Sequence, residues 1–353
     1  MITPPLYNPV PQAVKPRIEF VDTAKGICIL LVVMFHTGII SEQTPFLGML
    51  RMPFYFTLSG IFFKDYGGFI PTFTKKLNKL FIPFIFFFTI SYAIFVAIRL
   101  IIGGEIDIPY HCFITSKTMV NIALWFLLAL FCANILFFTI VRICNNLILI
   151  GIACIACSIL ALNVFSNDFF LPLYMDSALG AVPFLFFGYF LRKAEILVKS
   201  DKDKYYYRSI PILLAITYIA YIIGDEPYIG FGSLSCKGNS ICFYIGACSI
   251  VLATLLICKL IGNIRGIKYI GRYSIIILGM HMTISSIASI IYKNFCDSTD
   301  YLTYNIPLFL VTLLCSILCI PILTKYTSRF TAQKDLITDI KLLKIAPLFS
   351  IRK

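Results

Sequence analysis

The chain has 353 residues, 59% of them hydrophobic, 15% aromatic and 13% charged, with a mean hydropathy of +0.90. A soluble fold of this length cannot hide so much apolar surface, so a soluble enzyme is excluded and an all-α integral membrane protein is implied. The formal net charge of +13 then reads as Lys and Arg kept on the cytoplasmic face, and nucleic acid drops out as a partner.

The first residues, MITPPLYNPVPQAVKPR, are polar and Pro-rich and lack the order of a cleavable signal, so the first apolar segment is expected to be an uncleaved anchor. Runs of about 20 apolar residues predict ten transmembrane helices near 22–41, 45–63, 80–102, 118–141, 146–165, 171–191, 209–224, 240–261, 270–291 and 304–323. Pro83, Pro172, Pro211 and Pro307 stand near predicted span starts, where a missing N–H costs little. Placing alternate loops on opposite sides gathers most of the 30 basic residues on one of them, which makes both termini cytoplasmic. The expected organisation is a cytoplasmic segment at 1–21, a ten-helix membrane domain at 22–323 and a basic cytoplasmic tail at 324–353. Within that tail LITDIKLLKI has the pattern of an interfacial amphipathic helix on anionic membrane lipid.

Most cysteines fall inside apolar spans and act as small hydrophobes. Cys112, Cys236, Cys242 and Cys296 lie in or beside outer loops, where an oxidising compartment would let them pair. Cys154 and Cys157 form a Cys-x-x-Cys without a second pair, which leaves a metal site unsupported.

Ionisable residues inside spans are expensive and mark functional sites. His36 follows Lys25 by eleven positions, which at 1.5 Å per residue puts it roughly 16 Å deeper, near mid-membrane if Lys25 is at the cytoplasmic interface. An imidazole there either moves a proton in chemistry or hydrogen-bonds a neighbouring helix. Lys25 either contacts an anion or snorkels to the headgroups, and Asp22 either caps the helix or orients Lys25. Arg51 and Asp176 lie at similar depth near the outer face, and are expected to form an ion pair or to line a polar-ligand pocket. Trp125, the only Trp, either stacks on a sugar ring or anchors at the interface. His281 stands nine residues past Arg272, so both imidazoles should reach comparable depth from the same side.

Several of these segments together resemble the acyltransferase 3 family of integral-membrane O-acyltransferases. The likeness is carried by Lys25, Gly26 and His36 in the first span and by Met52, Pro53, Phe54, Phe56, Ser59 and Gly60 in the second. It continues through FTKKLNKLFIPF with Lys76 and Lys79, NIALWFLLALF with Trp125, the segment Ser177 to Lys193, and KYIGRYSIIILGMHM with Gly271, Ser274 and His281. It covers Ile18 to about Ile322. Lys25 stands where many members carry Arg, a feature of the branch resembling fucose 4-O-acetylases; it keeps the charge and loses bidentate anion recognition.

The resemblance implies acyl transfer from acyl-CoA, acetyl-CoA first, to a carbohydrate hydroxyl of the cell envelope, as in polysaccharide biosynthesis at the inner membrane. The expected roles are His36 as general base and Lys25, Lys76, Lys79 and Arg272 on the CoA end. His281 would support the acyl group or the acceptor, and Arg51, Ser59, Trp125 and Asp176 would line the acceptor pocket. Acyl-CoA enters as co-substrate, and no metal or bound cofactor is required. A transporter or flippase for a glycan or lipid-linked sugar is the alternative, since Pro53 with Gly60 and Gly180 with Pro183 interrupt two spans.

Overall fold

The computed structural model describes residues 19–41, 44, 46–115, 117–165, 169–197, 203–293 and 301–338. In lipid only a helix satisfies its backbone hydrogen bonds within one segment. The apolar runs accordingly form α1 (Glu19–His36), α2 (Leu47–Ile61), α3 (Phe69–Ile101), α4 (Ile122–Ile143), α5 (Leu147–Val164) and α6 (Pro172–Lys193). They continue as α7 (Asp203–Ile223), α8 (Ser240–Ile261), the short amphipathic α9 (Arg265–Arg272), α10 (Ser274–Lys293) and α11 (Tyr301–Tyr326). Eight of these are long and apolar enough to cross a membrane. The remaining two expected spans are α1, which carries Glu19, Asp22 and Lys25, and α2, which has only 15 residues.

The centre of the bundle is built by α1, α2, α3, α4, α6, α8 and α10, whose facing side chains form two buried aromatic and aliphatic clusters. The helices α5, α7 and α11 instead expose rows such as Ile152, Ile155 and Ile159, or Leu314, Leu318 and Ile322. Bare aliphatic stripes of that extent suit contact with lipid tails. Between α7 and α8 a small hairpin, β1 (Tyr228–Gly230) paired antiparallel with β2 (Ser235–Lys237), folds over one end of the bundle.

Two contacts bring helix backbones together without intervening side chains. A Cβ added to Gly60 of α2 would lie 1.9 Å from the Leu185 carbonyl oxygen of α6, and one added to Gly188 of α6 would lie 1.9 Å from the Thr57 carbonyl oxygen. The same holds between α1 and α9, where a Cβ on Gly26 would meet the Ile267 carbonyl oxygen at 2.1 Å and one on Gly271 the Asp22 carbonyl oxygen at 1.8 Å. Small residues permit such approach, and packing then replaces the missing hydrophobic drive between helices in lipid.

The expected start near residue 80 is displaced, because α3 already begins at Phe69 and Pro83 lies inside it. A proline there removes a helical N–H and crowds the carbonyl four residues back. The chain accommodates it with a π-helical turn at Leu77–Phe81, immediately before the proline. That turn receives the chain beyond α11. Asn78 accepts hydrogen bonds from the Leu336 and Ile337 N–H groups at 2.8 and 2.9 Å and donates to the Ile337 carbonyl at 3.0 Å. Asp335 sits 2.6 Å from the Lys75 Nζ and 3.1 Å from the Lys79 Nζ. Residues 336–338 are therefore docked and non-helical, while 339–345 of the expected amphipathic helix lie outside the described residues. Among the described residues no disulfide joins Cys112, Cys236 or Cys242, and Cys296 is outside them.

Since the atoms facing Gly60 are backbone and cannot yield, Gly60→Ala should destabilise the solubilised protein by about 1–3 kcal/mol through overpacking. Thermal unfolding in detergent measures it. Partial burial pushes the Asp335 carboxyl up, but hydrogen bonds and charge from Lys75 and Lys79 outweigh it and hold the carboxyl below the ordinary aspartate range. A lowered folded value stabilises docking above the unfolded value and loses that stabilisation as pH falls through the folded one. Hydrogen exchange at 332–338 should thus stay slow from neutral pH to about 4 and quicken below it. In Asp335→Asn this segment should exchange faster at neutral pH, without the acid transition.

Candidate active site

Two cavities enter the bundle from opposite ends and approach each other near its middle. The first, of about 250 Å³, is lined by Lys25, Tyr55, Ser59, Lys76 and Ser274 among apolar walls that include Ile29, Val32, Leu127 and Leu278. Lys25 Nζ lies 3.9 Å from the Asp22 carboxylate and 5.6 Å from the Phe62 ring centroid. The Tyr55 hydroxyl donates to the Lys25 carbonyl at 3.0 Å, tying α2 to α1 beside the lysine. The Ser59 hydroxyl donates to Asn134 Oδ1 at 2.9 Å, and Asn134 Nδ2 in turn donates to the Leu130 carbonyl at 2.7 Å. Ser59 also lines the cavity wall. Ser59 thus stands with the lysines, away from the pocket in which the sequence placed it.

The second cavity, of about 610 Å³, is lined by His36, Arg51, Lys117, Trp125, Tyr174 and the hairpin segment Tyr228 to Ser233, with Phe35 and Phe170. The Trp125 indole sits against Gly232, where an added Cβ would come within 3.2 Å of the ring, so the hairpin closes the cavity over the Trp. Trp125 and Tyr174 lie with ring centroids 6.0 Å apart on the cavity wall, Trp125 half-buried and Tyr174 buried.

His36 reaches this cavity from the end of α1 and meets His281 of α10, with ring centroids 5.2 Å apart at 49°. His281 is fully buried, and its Nδ1 lies 3.0 Å from both the Ile277 and the Leu278 carbonyl oxygens. Carbonyls only accept, so the proton is on Nδ1 and Nε2 presents a lone pair. That Nε2 is buried without a hydrogen-bond partner among the described residues. The two imidazoles expected at one depth therefore touch, and one of them holds an unused acceptor.

The expected pairing of Arg51 with Asp176 is not formed. Asp176, fully buried, accepts the Ser177 N–H at 2.8 Å and lies 2.6 Å from the Nζ of Lys117, which arrives from the loop before α4. The preceding turn makes this possible: Leu173 and Tyr174 are both left-handed, with φ of 57° and 56°, and the Tyr174 hydroxyl donates to the Lys117 carbonyl at 3.0 Å. Two consecutive non-glycine residues in that region store strain that the surrounding contacts must hold. Arg51 is buried elsewhere, its guanidinium 3.7 Å over the Phe35 ring centroid and its Nε donating to the Leu47 carbonyl at 3.3 Å. Asp176 thus acts on the cavity through Lys117, while Arg51 lines it directly.

The four cations assigned to one anion also separate. Lys25 and Lys76 face the same cavity. Lys79, three residues on, would share the Lys76 face in a regular α-helix, but the π turn between them directs it to Asp335 and to the Ala332 carbonyl at 2.6 Å. Arg272 is exposed and lies over the Tyr273 ring at 5.6 Å, because its neighbour Gly271 is the residue pressed on α1. Tyr55, Asn134 and Lys117 were not singled out from sequence. An Asn in the middle of the apolar run WFLLALFCANILFF was the available signal for Asn134.

The fold, with polar groups on the walls of these two internal cavities, defines a multi-pass membrane protein. Residues 18–324 match the family model described as an acyltransferase domain, and the chain belongs to that acyltransferase 3 family of membrane acyltransferases. No curated protein and no solved structure matches it.

Breaking a buried ion pair leaves one charge uncompensated. Lys117→Ala should therefore cost about 3–5 kcal/mol of stability, whereas Lys117→Met combined with Asp176→Leu should cost markedly less than the two single changes added. A double-mutant cycle of thermal unfolding in detergent tests the difference.

Proposed function

We propose that the protein moves an acyl group, acetyl in the first instance, from acyl-CoA to a hydroxyl of a carbohydrate. The observation that carries this reading is the contact of His36 with His281 on the wall of one cavity, with Lys25 and Lys76 lining the other. In it, Lys25 and Lys76 take the anionic phosphates of the donor, and the pantetheine arm follows the apolar wall of Ile29 and Val32 toward the bundle centre. The acceptor sugar packs against Trp125 and Tyr174, with Arg51 and Lys117 offering donors to its oxygens.

His36 is the general base. It takes the proton of the acceptor hydroxyl as the oxygen bonds to the thioester carbonyl carbon, and the tetrahedral adduct then expels the thiolate. The imidazolium returns the proton to the departing sulfur, so the ring ends neutral as it began. His281, whose Nδ1–H is held by two carbonyls, packs against His36 and fixes the placement of its ring. The charge asymmetry of the loops supports a basic, donor-binding face on the cytoplasmic side of a cell membrane and an acceptor cavity toward the opposite side.

Membranes containing the protein should transfer labelled acetyl from acetyl-CoA to a supplied cell-envelope glycan. His36→Ala at equal expression should lower the rate by about 10²–10⁴, the usual worth of a positioned base. Lys76→Ala should raise KM for acetyl-CoA by roughly tenfold with kcat little changed, as loss of a ground-state contact requires. Absence of transfer by intact wild-type protein would overturn the reading.

A further inference from the structure

The boundary between the two cavities falls at one level on three helices. On α1, Lys25, Ile29 and Val32 face the lysine cavity, whereas Phe35 and His36 face the other. On α4, Ile122 and Trp125 line the histidine cavity and Phe126, Leu127 and Leu130 the lysine cavity. On α2 the change passes through one side chain: Gly48 and Arg51 line the histidine cavity, Tyr55 and Ser59 the lysine cavity, and Met52 lines both. Among the described lining residues no other is shared between these two. Met52 is half-buried and packs against the central core, where it stands between the two spaces.

We infer that Met52 is the partition between donor and acceptor cavities, a movable seal that keeps acceptor-side water from the thioester until a hydroxyl acceptor is bound. This rests on the proposed acyl transfer. Its chemistry fits the residue type, since an unbranched thioether with three rotatable bonds changes rotamer cheaply and still fills an irregular gap. The seal matters because water competes with the sugar. A water oxygen bonding to the carbonyl carbon breaks the C–S bond, its proton passes to the thiolate, and free carboxylic acid and CoA result with no glycan acylated. Closing a site against water suppresses such side reactions. Met52 is thus a positioning residue for the reaction and sets its coupling, the ratio of sugar acylated to CoA released.

The test measures CoA released from acetyl-CoA by purified full-length protein, with and without glycan acceptor, in wild type, Met52→Ala, Met52→Val and the volume-conserving Met52→Leu. Without acceptor, release should rise about fivefold or more in Met52→Ala, rise less in Met52→Val and stay near wild type in Met52→Leu. With acceptor, the ratio of glycan acylated to CoA released should fall in the same order. Acceptor-independent release at the wild-type level in the truncated variants, with glycan still acylated, overturns the partition while leaving acyl transfer standing. If Met52→Ala does not give a monodisperse protein, Met52→Val decides alone. A wild type that acylates no glycan from acetyl-CoA removes the proposed function, and the partition falls with it.

Discussion

Direct backbone contact between helices is the constraint from which the rest of the arrangement follows. Where Gly60 meets Leu185 and Gly188 meets Thr57, α2 and α6 touch with no side chain between them, and Gly26 with Gly271 does the same for α1 and α9. In lipid such contacts are a principal source of helix association, because the surrounding tails are as apolar as the helix faces. They also fix register, since a slide along either helix would drive a side chain into a carbonyl. The α1–α9 contact aligns Asp22 with Gly271, and from that anchor α1 runs to His36 while α10 runs to His281. The meeting of the two imidazoles is thus a consequence of glycines placed ten residues before each of them, roughly 15 Å away in depth.

Polar groups inside this bundle are costly, and several are held by specific partners. The Lys117–Asp176 pair is held by a strained turn whose two left-handed residues have no glycine to relieve them. Asn134 spends its amide on its own helix and its carbonyl oxygen on Ser59. Asn121 donates to the Ser91 hydroxyl at 3.0 Å and to the Gly279 carbonyl at 2.9 Å, joining α10 to α3 two residues before His281. Buried networks of this kind specify one arrangement because an alternative packing would strand their donors. The exceptions are informative for the same reason. The unused Nε2 of His281 sits beside the residue proposed as base, where a polar reaction partner would arrive.

Much of this was legible in the sequence. Apolar runs of membrane length located, among the described residues, the eight long apolar helices as well as α1 and the short α2, since lipid leaves the backbone no other way to satisfy itself. The spacing of Lys25 to His36 and of Arg272 to His281 anticipated two rings at one depth, because helical rise is nearly constant. Pairing across helices was not legible. Arg51 and Asp176 looked matched by depth alone, yet depth says nothing of azimuth, and a lysine from a loop reached Asp176 first. The common face expected for Lys76 and Lys79 failed for a local reason: Pro83 and the π turn before it shift the register, a break that no three-residue spacing rule contains. The docked segment at 332–338 was hidden too, since it depends on one buried Asn presenting its amide to a distant stretch of chain.

An acyl transfer inside a membrane faces a conflict that this architecture addresses in space. The phosphates of the proposed CoA donor would need cations and water, while its thioester would be safest where water is scarce and electrostatic interactions are strong. Lys25 and Lys76 lie at the polar end of an otherwise apolar cavity, and the aliphatic walls beyond them would carry an uncharged arm but not the charged head. The proposed acceptor would have the opposite requirement, since a sugar must keep its many hydroxyls hydrogen-bonded and expose only one to the base. The cavity around His36 is correspondingly larger, with Arg51, Lys117 and Tyr174 on its walls and the hairpin closing over Trp125. In the proposed reaction, a channel for the arm and a chamber with polar groups on its walls for the sugar would bring the two substrates together at the level of Val32, Met52 and Trp125. There the proposed base, His36, would take the proton of the acceptor hydroxyl.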